Sequence, residues 1–563
     1  MNYLEMKISI SILFVILQQI QLVFNSEHEL AITTGLIQGK SVEFRGVTVK
    51  QFLGIPYAEP PLNELRFAKP VPKKPWNGVL KTDQWGNRCL QPIMLGLYDG
   101  NQTFDEDCLI LNVFATEAAI ANSKDGSNSK LRPVMFWIHG GGFLYGSAND
   151  YISFDGTAFA ALQDVVLVSI NYRLGPFGFL HLPEAQVPGN MGLWDQNLAL
   201  KWVKDNIHYF GGDPNKVTIY GESAGSMSVS AHIVSPQSKG LFANAILMSG
   251  ALSDFNRWIL EDVGKTFATK IGCENQDYKS CLDSYQFDKF KDTQHLMFWP
   301  ISGDEFLPTY PDQIIANRGV DPEVNVLLGT VGNEGACMIM FKDPITFNPN
   351  NPLNVSLSDA KLVLKHFFGK SLVNFYLDKY FAQVSPHDYD TIRLNLGQAL
   401  GDTILTCPTY AFGRGLALNG NSNVYAYYQS QRPSSSPFPI FSQSSWLPPT
   451  HGDDIPMVFG HPLNSDKYSA DDVILSYVMM DVWAKFAREG KPPKISHQDW
   501  LPWSQHEPFS YPTMELNANK FGIIETKPVQ FCFDNWPFPF EKPYWFDVEL
   551  GIFANMKRNH DEL

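Results

Sequence analysis

Charge is scarce in this chain, and several features that would direct it elsewhere are missing. Only 18% of its 563 residues are Asp, Glu, Lys or Arg, and 44% are hydrophobic. That is a globular composition and not a disordered one. The net charge is −15 with no run of lysine or arginine, so nucleic-acid binding has no basic patch to rest on. An acidic body draws cationic ligands instead. None of the seven cysteines falls in a C-x-x-C pair, which leaves zinc and thioredoxin-like readings without support. Past the N-terminus, no stretch approaches eighteen uninterrupted apolar residues, so no stable membrane span is expected there. Internal repeats are absent. A length of 563 residues allows two to four domains, although large α/β chains often run as one.

The two ends read as addresses. Lys7 precedes an apolar run over residues 8–17, the length of a signal-peptide core and short for a bilayer span. Cleavage near Ser26 is expected, giving a signal peptide at 1–26, one domain over 27–555 and a tail at 556–563. The competing reading is an N-terminal anchor, since apolar residues recur from Ile20 to Phe24. The chain ends His560-Asp561-Glu562-Leu563, a tetrapeptide read by the endoplasmic-reticulum retrieval receptor. The expected location is therefore the lumen of that compartment, with secretion if the tail is not retrieved. Seven cysteines suit an oxidising lumen; the odd number leaves at least one free, and spacing alone leaves the connectivity open. Asn101 and Asn354 head glycosylation sequons and belong on the surface if modified.

Between the ends, residues 29–52 alternate apolar and polar as antiparallel edge strands do. Residues 56–75 are proline-rich and extended, and a strand is expected at 109–114. Residues 121–131, polar and rich in glycine and serine, read as a surface loop. The runs 133–138 and 165–170 are apolar almost throughout, as parallel strands buried on both faces are. Helical spacing follows at 194–210, then strands at 244–249, 324–328 and 423–428. Residues 255–320 and 350–420 look mainly helical, and 472–488 reads as one long helix. Strands alternating with helices argue a single α/β sheet.

The chemistry starts at Lys216-Val-Thr-Ile-Tyr-Gly-Glu-Ser-Ala-Gly-Ser226. A short buried strand runs into Gly221-Glu222-Ser223-Ala224-Gly225, a G-x-S-x-G turn, and then into a helix. Such an elbow lifts the serine hydroxyl above the sheet edge, and the crowded turn needs residues without side chains two before and two after it. A chain this long carries the bare pattern by chance with odds on the order of one in five, so context decides. Upstream, His139-Gly140-Gly141-Gly142-Phe143 directly follows a strand, and consecutive glycines let backbone N–H groups turn toward a substrate oxygen. A flexible glycine turn is the plain alternative, but a turn rarely needs three glycines there.

A resemblance now covers nearly the whole chain. Residues 210–225 are similar to the serine signature of type-B carboxylesterases and cholinesterases, and Glu106-Asp-Cys-Leu-Ile-Leu-Asn-Val113 to a second signature. Phe52-Leu-Gly-Ile-Pro-Tyr-Ala-Glu-Pro-Pro61, Asn171-Tyr-Arg-Leu-Gly-Pro-Phe-Gly178 and Gly189-Asn-Met-Gly-Leu-Trp-Asp-Gln196 resemble further motifs in the same order. The resemblance implies an α/β-hydrolase fold, a large central, mostly parallel sheet flanked by helices with helical insertions. It implies a triad of Ser223, Glu334 and His451, with oxyanion donors at Gly141, Gly142 and Ala224. His461, followed by proline and outside the motif, is the rival to His451. Glu222 and Ser249 are implied beside the triad, although the Ser249 hydroxyl could as well bond backbone. No metal or organic cofactor is required. Cysteine pairs Cys89–Cys108, Cys273–Cys281 and Cys407–Cys532 are implied, with Cys337 unpaired.

Substrate choice reads less directly. By ungapped register, Tyr98 stands where cholinesterases hold choline on tryptophan, and Tyr is the weaker cation–π partner. Gln294 and Leu296 fall at acyl-pocket positions usually occupied by phenylalanine, and Cys337, with Met338 beside it, falls where an aromatic follows the acid. The expected pocket is wider and less aromatic, as in a broad carboxylesterase. A cholinesterase is the alternative, favoured by the third disulfide. A non-catalytic adhesion protein of the family is the other, disfavoured because all three triad residues are present.

Overall fold

Apolar runs buried on both faces become the middle of one eleven-stranded sheet. The computed structural model describes residues 29–92, 103–124, 131–149, 154–253, 263–274, 277–285, 293, 296–420, 423–436, 444, 446–503, 511–524 and 527–535. The expected signal segment, Tyr98, Asn101, Gln294 and the tail lie outside the described residues.

The strands are β1 (Lys40–Phe44), β2 (Val47–Pro56), β3 (Ile110–Thr116), β4 (Arg132–Ile138), β5 (Val166–Ile170), β6 (Gly212–Glu222), β7 (Asn244–Met248), β8 (Asn325–Val331), β9 (Val424–Gln429), β10 (Thr513–Leu516) and β11 (Gly522–Ile524). Across the sheet they run β11-β10-β9-β8-β7-β6-β4-β5-β3-β2-β1. Pairing is parallel from β10 to β5 and antiparallel at both edges. The chain goes from β4 to β5 on one side, then returns to lay β6 on the other side of β4. That reversal is a topological switch point, where the carboxyl ends of neighbouring strands leave a crevice.

Alternation along β4 feeds two cores. Val134, Phe136 and Ile138 pack on one face with residues of α2 (Met191–Asn206) and α3 (Ala224–Val234), while Met135 and Trp137 pack on the other with α8 (Ala470–Glu489). This is the period-two geometry of a strand covered on both sides. Helix α8 starts two residues earlier than the apolar spacing suggests, because Ser469 and Asp472 form a capping box. It stops at Gly490, where φ is 71°.

Two sequence expectations change. The loop expected from residue 121 begins as helix, since α1 spans Glu117–Lys124. Its Glu-Ala-Ala-Ile-Ala start favours helix, and the Thr116 hydroxyl accepts the Ala119 N–H at 3.2 Å. Residues 255–320 hold only short helices among those described, Val263–Lys270, Tyr278–Asp283 and Pro311–Ala316. After the acid loop come the short α4 (Ala336–Lys342) and the longer α5 (Leu357–Phe381), α6 (Tyr389–Gly401) and α7 (Cys407–Leu418). Disulfides join Cys89 to Cys108, Cys273 to Cys281 and Cys407 to Cys532, and Cys337 is free and buried.

Candidate active site

At the switch point, β6 ends at Glu222 and α3 begins at Ala224, leaving Ser223 between them with φ 59° and ψ −125°. The flanking glycines are set by contact. A methyl on Gly225 would lie 2.0 Å from the Ile138 carbonyl oxygen, and one on Gly221 would lie 2.6 Å from the same atom. Both distances are below any real carbon contact, so β4 can pass this close only if residues 221 and 225 lack side chains. The Ser223 N–H donates to the Met248 carbonyl at 2.9 Å, fixing the turn to β7.

The neighbouring strand β4 runs directly into the glycine loop. A methyl on Gly140 would lie 2.9 Å from both Glu222 Oε2 and Ser223 Cβ, so this loop passes against the elbow. Gly141 has φ 103° and Gly142 φ 62°, conformations that favour glycine. Ala224 opens α3, and the first N–H groups of a helix have no acceptor within it. Behind the loop, His139 Nδ1 lies 2.9 Å from the Gly140 carbonyl. A carbonyl only accepts, so Nδ1 carries the proton. Burial pushes this imidazole down to about 4, and it stays neutral.

Glu334 and His451 arrive on separate loops. Glu334 follows β8 and is wholly buried. Its Oε1 accepts from the Ser249 hydroxyl at 2.6 Å and the Val331 N–H at 2.8 Å, and its Oε2 lies 2.7 Å from His451 Nδ1. Three donors on one carboxylate fix its orientation. Ser249, with φ 58°, directly follows β7 beside the elbow. The loop reaches α6 closely, since a methyl on Gly401 would sit 2.8 Å from Glu334 Cβ. His451 meets Glu334 with Nδ1 and turns Nε2 to within 3.1 Å of Glu222 Oε1, the residue before Ser223. His461 instead opens a short turn, His461–Leu463.

Electrostatics concentrate on that imidazole. Burial would lower the His451 pKa, but the Glu222 charge and the Glu334 hydrogen bond outweigh it, and the net shift is upward. Burial raises Glu222, against the pull of His451. Asp454, accepting from the Tyr427 hydroxyl at 2.9 Å, is raised to about 7 by burial and by the Glu334 charge. Burial likewise raises Asp453 to about 7. A histidine surrounded by buried carboxylates is stabilised as imidazolium, the form produced when it takes a proton. The arrangement can therefore support a hydroxyl nucleophile, a base oriented by an acid, and backbone donors for an oxyanion.

The remaining predicted positions scatter. Cys337 is 2% exposed, and its sulfur lies 3.8 Å from the Glu334 carbonyl, where burial raises its thiol. Met338, half-buried, sits next to it on α4. Leu296 is buried and Asn354 exposed. Among the described residues, no group of three or more His, Cys, Asp or Glu is placed to hold a metal, and no helix is long and apolar enough to cross a membrane. Sequence reasoning did not single out Asn333, Thr450, Asp453 or Asp454. The only signal was adjacency, since all four flank Glu334 or His451.

Comparison with known proteins gives one consistent result. The model of the carboxylesterase family matches residues 26–532. An acetylcholinesterase of Leptinotarsa decemlineata is 32% identical over 87% of this chain and 82% of its own length. Acetylcholinesterase-1 of Trittame loki is 33% identical over 88% and 91%, and an acetylcholinesterase of Bungarus fasciatus 34% over 90% and 85%.

Proposed function

Since the chain belongs to the carboxylesterase family, with its α/β-hydrolase fold and carboxylic ester hydrolase activity, we propose that it hydrolyses carboxylic esters of broad specificity through an acyl-enzyme on Ser223. The observation that carries this is the buried Glu334 carboxylate, held by Ser249 and Val331 and aimed at His451 beside the elbow. Neutral His451 takes the Ser223 proton as Oγ attacks the ester carbonyl. The tetrahedral oxyanion lies against the N–H groups of Gly141, Gly142 and Ala224, where one such donor is worth about 10²–10³ in rate. Collapse expels the alcohol, which leaves with the proton held by His451. Water, deprotonated by the same imidazole, then releases the acid.

Breadth of substrate is supported by α4, which follows the acid. Its first turn carries Cys337 and Met338, neither of which offers an aromatic face, and Phe341 comes a full turn later. The acetylcholinesterase relatives and the buried carboxylates favour a second reading, choline ester hydrolysis. Comparing kcat/KM for butyrylcholine with its uncharged isostere, 3,3-dimethylbutyl butyrate, separates the two. Ratios within about tenfold fit the broad esterase, and a preference for the cation beyond that sinks it.

The His560-Asp561-Glu562-Leu563 tail supports residence in the endoplasmic reticulum through the retrieval receptor. Deleting those four residues should move enzyme from cells into the medium, and an unchanged distribution would remove this part of the reading.

A further inference from the structure

The hydrogen bond between Glu334 and His451 joins two loops 117 residues apart in sequence. Its length depends on what fixes one loop against the other. The residue just before His451 spans that gap. Thr450 is 1% exposed, and its hydroxyl works in both directions. It accepts from the Cys337 N–H, in the first turn of α4, at 3.1 Å. It donates to the carbonyl of Asn333, the residue before Glu334, at 3.2 Å.

The main chain continues the same seam. Asn333 N–H donates to the Pro449 carbonyl at 2.8 Å, and Asn333 and Thr450 form an isolated parallel bridge. Each side is also anchored behind. The Asn333 side chain accepts from Ala336 N–H at 3.1 Å and donates to the Leu394 carbonyl on α6 at 3.0 Å. Thr450 N–H donates to Asp453 Oδ2 at 2.8 Å, closing the histidine loop on itself. Without the Thr450 hydroxyl, the seam keeps only main-chain pairing, the Asn333 to Pro449 hydrogen bond and the bridge of Asn333 with Thr450. A serine could make both hydroxyl bonds. A valine of similar volume could make neither: the Cys337 N–H would lose its Thr450 acceptor, and the Asn333 carbonyl would keep the longer bond from the Ala336 N–H at 3.4 Å.

We propose that Thr450 is a positioning residue, whose hydroxyl locks the loop of the acid to the loop of the base and so keeps Glu334 Oε2 on His451 Nδ1. It touches neither substrate nor reacting atoms. Small displacements matter here, because misplacement of about 1 Å by a residue remote from the bond-making atoms costs on the order of 100-fold in rate. The inference rests on the ester hydrolase reading above.

The test compares Thr450→Val, Thr450→Ala and Thr450→Ser in the full-length protein, with 4-nitrophenyl acetate as substrate and thermal unfolding as the check on folding. Alanine introduces no added bulk and carries the same loss of hydroxyl if the valine protein is not recovered. For Val and Ala, kcat should fall on the order of 10- to 100-fold with KM within about threefold. The acid limb of the kcat/KM profile should also move to lower pH. A looser Glu334 bond lowers the pKa of His451, and the neutral imidazole that the reaction needs then persists to lower pH. Serine should restore both kcat and the limb. Val and Ala proteins that keep wild-type kcat, a kcat loss with an unmoved limb, or no rescue by serine would each overturn the proposal. A wild-type protein that hydrolyses no ester would instead count against the functional reading.

Discussion

Ser223 occupies a backbone conformation, φ 59° and ψ −125°, that costs a residue with a Cβ on the order of 1–3 kcal/mol. The turn persists because Met248 and the start of α3 hold it, and it brings Glu222 against the base as well. That neighbour yields a pH prediction. The Glu222 charge, 3.1 Å from His451 Nε2, helps raise the imidazole pKa. The reaction needs neutral His451, so kcat/KM climbs as pH rises through that pKa. Glu222→Gln removes the charge and should shift the acid limb to lower pH, by about one unit, in the pH profile of 4-nitrophenyl acetate hydrolysis. A shift to higher pH would contradict this account of the charge. Ser223 could be singled out from its G-x-S-x-G turn between strand and helix, whereas Glu334 and His451 were implied only by the resemblance of their loops to the family's. Thr450 and Asp454 were not legible, since a threonine or aspartate acts here only through the backbone or hydroxyl that another segment brings beside it. Tyr98 and Gln294, read from register alone, lie outside the described residues.

Among elements, the strand–turn–helix unit depends on how closely β4 approaches it. A methyl at residue 225 would meet the Ile138 carbonyl oxygen at 2.0 Å, a contact with backbone that no side-chain rotation relieves. Gly225→Ala should therefore destabilise the fold by roughly 2–3 kcal/mol in urea titration, with most esterase activity lost alongside. An unchanged midpoint would show that β4 yields easily. Strands such as β4 and β5 were readable because burial on both faces demands near-continuous apolar sequence. The start of α1 was not, because glycine and serine further along outweighed a short alanine-rich segment that Thr116 caps. The first two residues of α8 were missed for a related reason. Its start is set by Ser469 and Asp472, polar residues that apolar spacing does not count.

For the whole molecule, the alternation of strands and helices announced one sheet, but local pattern carries no strand order. The decisive fact is that β6 lies beside β4 and not beside β5, which sets the glycine loop after Ile138 against the elbow. Parallel β7 and β8 then present Ser249 and the Glu334 loop at the same end. Residues 139 to 451 converge there because the strands share direction. The Cys407–Cys532 bond ties α7 to the helix Lys527–Asn535 across 125 residues. On the proposed reading, all of this positions one nucleophile. The most direct measurement is mass spectrometry of the protein after reaction with an organophosphonate ester, which traps a serine activated for acyl transfer. A single adduct on the peptide containing Ser223, absent from Ser223→Ala along with ester hydrolysis, is the predicted result. An adduct elsewhere, or full hydrolysis by Ser223→Ala, would contradict the account.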